Sequence, residues 1–368
     1  MLRPTIRPLD EVITPFNELS KPITNSTALT NFLTSYFGEA GSELAAVPHD
    51  ELETDPTFLE DVESVDVRSF ISQVIDIWPD LTREYVGAGT CSGCVSSFIP
   101  LNRTFVVAGG RFRESYYWDS YWIVEGLLRT KGSFTQIALN ITENFLDLVE
   151  LLGFVPNGAR VYYENRSQPP FLTPMVRAYV EYTGDTSVLE RFLPTLEKEH
   201  AFWMNNRTID VEFDGETYTL NHYAVLNNQP RPESYLEDYQ TATNSCYYSE
   251  DSGIIYPATP LTDEEIAQLY ANLASGAESG WDYSSRWIAN PGDAANDVYF
   301  PLRSLNTVEL LPIDLNSFLY ANEIAIASFY NLTGNSTGAE AWAELAAHVL
   351  HMEGVKRLNA QFLETGTR

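Results

Sequence analysis

From about residue 118 the apolar positions of the chain recur at helical spacing. Val188, Leu189, Phe192, Leu193 and Leu196 fall on one stripe of a 3.6-residue period. The same pattern predicts helices over residues 118–130 and 134–152, split by Lys131-Gly132, and over 170–183 and 186–205. Two more are predicted over 315–330 and 339–362. Thr262 with Glu265, and Thr337 with Glu340, have the Ser/Thr-x-x-Glu spacing of a capping box ahead of such runs. Alternating Val, Phe, Tyr and Leu around Asp214-Gly215 predict a hairpin over 209–220. The first 85 residues are mixed in pattern: short helices are expected at 31–37 and 65–77, while Pro4, Pro8, Pro15 and Pro22 argue against a long one.

Between the helix pairs lie irregular Gly-, Pro- and Asn-rich segments at 153–169, 207–261 and 276–313. Irregular segments of that length inside a compact domain are usually functional. Helical hairpins joined by elaborate loops predict an all-α toroid. Its expected organisation is an entry segment, 1–85, followed by a helical domain, 86–368.

Composition narrows the ligand more than the fold. Of 368 residues, 44% are hydrophobic and 20% charged, which suits a packed domain. No run approaches the ~18 apolar residues of a membrane span. The net charge of -29 repels nucleic acid and anionic lipid, and so favours a neutral or cationic ligand. The 21 Tyr and 7 Trp offer flat apolar faces with polar handles, which suit sugar rings as well as cores. Three cysteines exclude a disulfide scaffold. Cys91-Ser-Gly-Cys94 lacks two further ligands at zinc spacing, so a local disulfide is expected, and His348-x-x-His351 alone is a weak metal signal. No metal is expected. Asn-X-Ser/Thr occurs at Asn25, Asn102, Asn140, Asn165, Asn206, Asn331 and Asn335. That exceeds the ~3 expected by chance and favours a secretory, extracellular or vacuolar location, although residues 1–8 contain no apolar leader segment.

The unusual sequences sit in the irregular segments. Ala108-Gly-Gly-Arg-Phe-Arg-Glu-Ser-Tyr-Tyr-Trp-Asp-Ser-Tyr121 places two flexible glycines before a dense run of polar and aromatic groups at a helix entrance. Such a run is either a sugar or polyol site or a buried structural network. Pro156-Asn-Gly158, Arg166-Ser-Gln-Pro-Pro170, Arg231-Pro-Glu-Ser-Tyr235 and Glu278-Ser-Gly-Trp-Asp-Tyr-Ser-Ser-Arg-Trp287 follow.

Together these blocks resemble the trehalases, which hydrolyse α,α-trehalose to two glucoses. The first family signature, Pro-Gly-Gly-Arg-Phe-x-Glu-x-Tyr-x-Trp-Asp-x-Tyr, is matched from Gly109 to Tyr121 with Ala108 in place of Pro, and the other blocks match in family order. The resemblance implies an (α/α)6 barrel and an inverting mechanism with one carboxylic acid and one carboxylate base. Such a pair stands about 6.5–9.5 Å apart so that a water fits between base and sugar. Residue by residue, Asp282 matches the general acid, with Trp281 and Tyr283 as a low-polarity surround. Arg111, Trp118, Asn157, Arg166, Arg231 and Glu233 match sugar-binding positions. Phe112, Tyr116 and Tyr121 read as packing residues, Arg113 as a structural partner, Asp119 as a cap or orienting group, and Asn165 as unglycosylated. The resemblance implies trehalose as ligand and no cofactor. The family's Gln-Trp-Asp-x-Pro-x-Gly-Trp and Gly-Gly-Glu-Tyr blocks have no counterpart, so the base and the closing helix pairs are expected beyond residue 368. Three readings stay open beside this one: another (α/α)6 inverting α-glucosidase, a sugar-binding protein without catalysis, and Glu233 or Glu278 as a substitute base.

Overall fold

A computed structural model describes residues 3–20, 23, 25–88, 91–213, 215–248, 253–289 and 301–350. The chain divides into two compact units, residues 1–145 with 158–164, and residues 146–157 with 165–368. The division falls inside a helix, between residues 145 and 146.

In the first unit, helices α1 (Leu9–Glu18) and α2 (Ser26–Tyr36) precede a small antiparallel sheet of β1 (Leu44–Ala46), β2 (Thr82–Tyr85) and β3 (Phe105–Val106) in that order. Pro8 flanks the first turn of α1, where a missing N–H costs nothing, and Pro15 sits inside the helix, which stops at Glu18. Helices α3 (Val65–Ile75) and α4 (Trp78–Leu81) lie between β1 and β2, and α5 (Tyr117–Thr130) and α6 (Ser133–Leu152) follow β3. Cys91 and Cys94 form the local disulfide. Arg160 is fully buried between Glu43 at 2.9 Å and Glu114 at 3.2 Å. This supplies the structural-network half of the reading given to the 108–121 block.

The second unit contains α7 (Leu172–Thr183), α8 (Leu189–Asn206), the hairpin β4 (Thr208–Phe213) and β5 (Glu216–Asn221), α9 (Tyr235–Thr243), the short pair β6 (Cys246–Tyr248) and β7 (Ile255–Pro257), α10 (Asp263–Glu278), α11 (Ile313–Leu332) and α12 (Ser336–Leu350). Helix is the dominant element throughout, as the hydrophobic period predicts. Leu189, Phe192, Leu193 and Leu196 all face inward on α8. Helix α11 packs on α7, α8 and α12. A core of Trp203, Tyr223, Leu273, Trp287, Leu315 and Leu319 gathers residues from α8, α10, α11 and the loops between them. In the hairpin, Ile209 pairs with Leu220, and Gly215 takes the positive φ of 83° that the turn needs; Asp214 lies outside the described residues.

Two details of the helix ends separate the predictions. Thr262 and Glu265 form a reciprocal capping box at the start of α10. Thr337 caps nothing. It lies within the first turn of α12, and Asn335 Oδ1 accepts the Gly338 N–H at 3.0 Å instead. His351 lies outside the described residues. Among the described residues no His, Cys, Asp or Glu group is arranged to hold a metal ion, and no helix is long and apolar enough to cross a membrane.

Candidate active site

The segment after α10 carries Asp282. Ser279 Oγ donates to the Gly276 carbonyl at 2.6 Å and accepts the Trp281 N–H at 3.0 Å, turning the chain out of the helix. The Tyr283 hydroxyl donates back to the Leu273 carbonyl at 3.0 Å. This contact needs Gly276: a Cβ there would stand 2.6 Å from the Tyr283 ring. On the far side, buried Trp287 donates its indole N–H to the Trp281 carbonyl at 3.1 Å. The Arg286 guanidinium lies 4.8 Å over the exposed Trp281 ring and pairs with Asp314 at 2.7 Å. Asp282 is therefore held between anchored aromatic residues while remaining open to solvent.

Three further candidate residues gather near it. Arg231 is buried and gripped by Asp238: the backbone N–H and Nε reach Oδ2 at 2.9 Å, and Nη2 reaches Oδ1 at 2.7 Å. The guanidinium lies 5.5 Å over the Tyr283 ring, and its Nη1 is 4.0 Å from Glu233 Oε1. Glu233 also pairs with buried Arg166, and its Oε2 is buried with no partner among the described residues. Arg166 donates to Asn165 Oδ1 at 3.0 Å, which occupies one face of that sequon's side chain.

The Arg166 loop is clamped to the end of α10. Asn157 donates its backbone N–H to the Arg166 carbonyl at 3.0 Å, and its amide to the Ser167 and Ala277 carbonyls at 3.2 and 3.1 Å. Glu278 is fully buried, and its two oxygens bind Arg207 at 2.7 and 2.8 Å and the Ser167 N–H at 2.9 Å. Asn157, taken from sequence as a sugar contact, thus spends its amide donors on holding the loop. Glu278 has no free oxygen with which to act as a base.

The electrostatics single out Asp282. Burial by the surrounding protein raises its pKa above the ordinary carboxylate range. A hydrogen bond from its own backbone and the charges of Arg231 and Arg166 pull the other way, and Glu233 adds to the rise. The side chain keeps a solvent-facing edge, yet enough protein surrounds it for desolvation to win. A carboxyl group that stays protonated longer, with two guanidiniums nearby, can donate a proton to an uncharged oxygen.

Arg111 and Trp118 belong to the first unit. Gly109 and Gly110 take φ of 100° and 59°, and Gly109 and Phe112 exchange both backbone hydrogen bonds, at 3.0 and 3.1 Å, so the chain folds back on itself. That turn presents Arg111 to solvent with its guanidinium 4.9 Å over the Phe112 ring. Phe112 is itself exposed, so it supports Arg111 rather than the core; Tyr117, not singled out in the sequence, is the buried ring here. Arg113 bonds the Ala40 carbonyl at 2.8 Å, a structural role. Tyr121 bonds Glu125 one helical turn on at 3.1 Å. Trp118 and Asp119 are half-buried in the first turn of α5.

With this arrangement in view, residues 9–353 match the family described as trehalase. The chain belongs to the trehalase family. It is 42% identical over 319 residues to the trehalase of Dictyostelium discoideum, covering 86% of this chain and 50% of that protein. It is 38% identical over 344 residues to the trehalase of Apis mellifera, covering 93% and 52%. A solved structure, the neutral trehalase of Saccharomyces cerevisiae, is similar at a TM-score of 0.49 and 26% identity, covering 67% of this chain and 44% of that one. The chain spans about half the length of the curated trehalases it matches.

Asp238, Arg207 and Ser167 escaped the sequence reading. Asp238 sits seven residues after Arg231, within the first turn of α9, and a helix start next to a motif arginine was the available signal. The Arg207–Glu278 pair spans 71 residues and left no local trace.

Proposed function

We propose that this chain carries the acid half of a site that hydrolyses α,α-trehalose to two glucoses with inversion. Asp282 is the general acid and protonates the glycosidic oxygen. Arg166, Arg231 and Glu233 contact sugar hydroxyls, and Asn157 holds the Arg166 loop; Arg111 and Trp118 match sugar-binding positions of the family. The observation that carries this reading is the placement of the Asp282 carboxyl, held by the anchored Trp281–Trp287 segment and open to solvent beside the Arg231–Glu233–Arg166 group; the surrounding protein raises its pKa. A guanidinium fork suits hydroxyl oxygens, and the partnerless Glu233 Oε2 suits a hydroxyl donor. The reaction is a proton transfer coupled to attack by water and calls for no organic cofactor. Glu278 is fully engaged and is not available as the base. The neutral substrate fits an acidic protein, and the sequons favour synthesis through a secretory route.

The test is glucose release from trehalose by the purified chain beside an Asp282→Asn variant, with the product anomers followed by NMR. One α- and one β-glucose per turnover, lost in the variant, would support inversion with Asp282 as acid and place a base within these residues. Trehalose binding without release would support a binding protein, or an acid half awaiting its base. Release from other α-glucosides at equal rates would favour the broader α-glucosidase reading.

A further inference from the structure

A second cavity, of about 470 Å³, opens on the second unit between α9, the start of α10 and the loop at 228–230. It shares no lining residue with the Asp282 cluster, although Pro230 and Tyr235 flank Arg231 and Glu233 in sequence. Tyr235 and Tyr239, one helical turn apart on α9, stack with ring centroids 6.1 Å apart and planes within 4°. Both are about half exposed, at 55% and 48%. Their half-exposed rings form an aromatic wall of the cleft, an arrangement that leaves apolar area in water unless a ligand covers it. Tyr270 is buried and lines the cavity, and its hydroxyl makes no side-chain hydrogen bond among the described residues. The Asn228 and Gln229 amides and the Asp263 carboxylate add polar groups without side-chain partners among the described residues, beside Thr243 and the apolar Pro230, Ile266 and Ala267.

The chemistry of this lining is specific. Phenols and amides both donate and accept. Among the described lining residues the only charged group is one carboxylate, with no cation to hold an anion. An aromatic face beside convergent neutral hydrogen-bonding groups suits the C–H face and hydroxyls of a pyranose, and the volume admits one or two such rings. We infer that this cleft is a second saccharide site, which binds a neutral hexose or short oligosaccharide without cleaving it. Asp263 is the only carboxylate among the described lining residues, which therefore supply no acid/base pair. The inference stands on this cleft alone and is independent of the role given to Asp282.

The experiment is saturation-transfer NMR titration of the full chain with D-glucose and with α,α-trehalose. A Tyr235→Ala/Tyr239→Ala variant removes two exposed rings and so leaves no cavity in a core; circular dichroism checks its fold. The expected result is a sugar-binding event weakened ~10-fold or more in that variant and unchanged in Glu233→Gln, which perturbs the other site. Asn228→Ala, a smaller change, is expected to weaken the same event. Equal binding by the parent and by both the double variant and Asn228→Ala would overturn the inference, as would loss of all sugar binding in Glu233→Gln. Failure of the Asp282 assignment reads differently, as trehalose turnover indifferent to Asp282→Asn.

Discussion

At the residue scale, the pKa of Asp282 sets a stability as well as an activity. Its folded pKa is raised, so its neutral form suits the fold. The contribution of that neutral form is complete below the ordinary carboxylate value of 3.8 and is lost as pH rises through the folded value. Asp282→Asn stays neutral at every pH. Its melting temperature is therefore expected to gain on the parent's as pH rises above about 4, and to stop gaining once the folded value is passed. A thermal-unfolding series showing a constant or shrinking gap would mean that the charged form is not disfavoured. Asp238 makes the complementary case. Removing it leaves Arg231 buried without its three hydrogen bonds, and such a loss costs about 3–5 kcal/mol. Asp238→Ala is expected to lower the urea midpoint strongly, and Asp238→Asn, which keeps the shape and part of the bonding, to recover part of it.

At the element scale, α10 joins local helix signals to the site. Its first turn is closed by the Thr262–Glu265 box, so Thr262→Ala is expected to cost ~0.5–2 kcal/mol in chemical denaturation. Its last turns carry Gly276, where alanine would ordinarily favour a helix. Here the added methyl would meet the Tyr283 ring at 2.6 Å. Gly276→Ala is expected to destabilise by about 1–3 kcal/mol and to alter the near-ultraviolet dichroism as Tyr283 shifts. A stabilised variant would show that the Tyr283 ring moves away at little cost, and that the segment bearing Asp282 is looser than its hydrogen bonds imply.

At the scale of the whole molecule, the charge of -29 is the largest unlocalised effect. Like charges spread over a folded surface repel, and salt screens them: the Debye length falls from about 30 Å at 0.01 M to about 8 Å at 0.15 M. The melting temperature is expected to rise over that range. A fall would mean that the surface ion pairs, such as Arg103–Glu143 at 2.7 Å, outweigh the repulsion. The same excess of acid makes the close approach of Arg166 and Arg231 to Asp282 notable, since cations are the scarcer charge.

The sequence by itself determined helices α7, α8, α11 and α12 of the second unit, the hairpin at 209–220, the start of α10 and the membership of the trehalase family, but not α9, which lies in a stretch that reads as irregular. Each depends on signals a few residues long: a 3.6-residue stripe, an alternation, a cap, a motif. Helix ends were less legible where two caps competed, as at Asn335 and Thr337, because either side chain can offer an oxygen to the same first turn. Only the tertiary structure decided how the motif residues divide their work. Asn157 and Glu278 turned out to clamp a loop, and Asp238 to grip an arginine. The tertiary structure also joined Arg166 to Glu233 across 67 residues and Ser167 to Glu278 across 111. The reason is physical. A charge is paired, and a pKa moved, by whatever excludes water around it, and those neighbours come from parts of the chain whose separation no local pattern records.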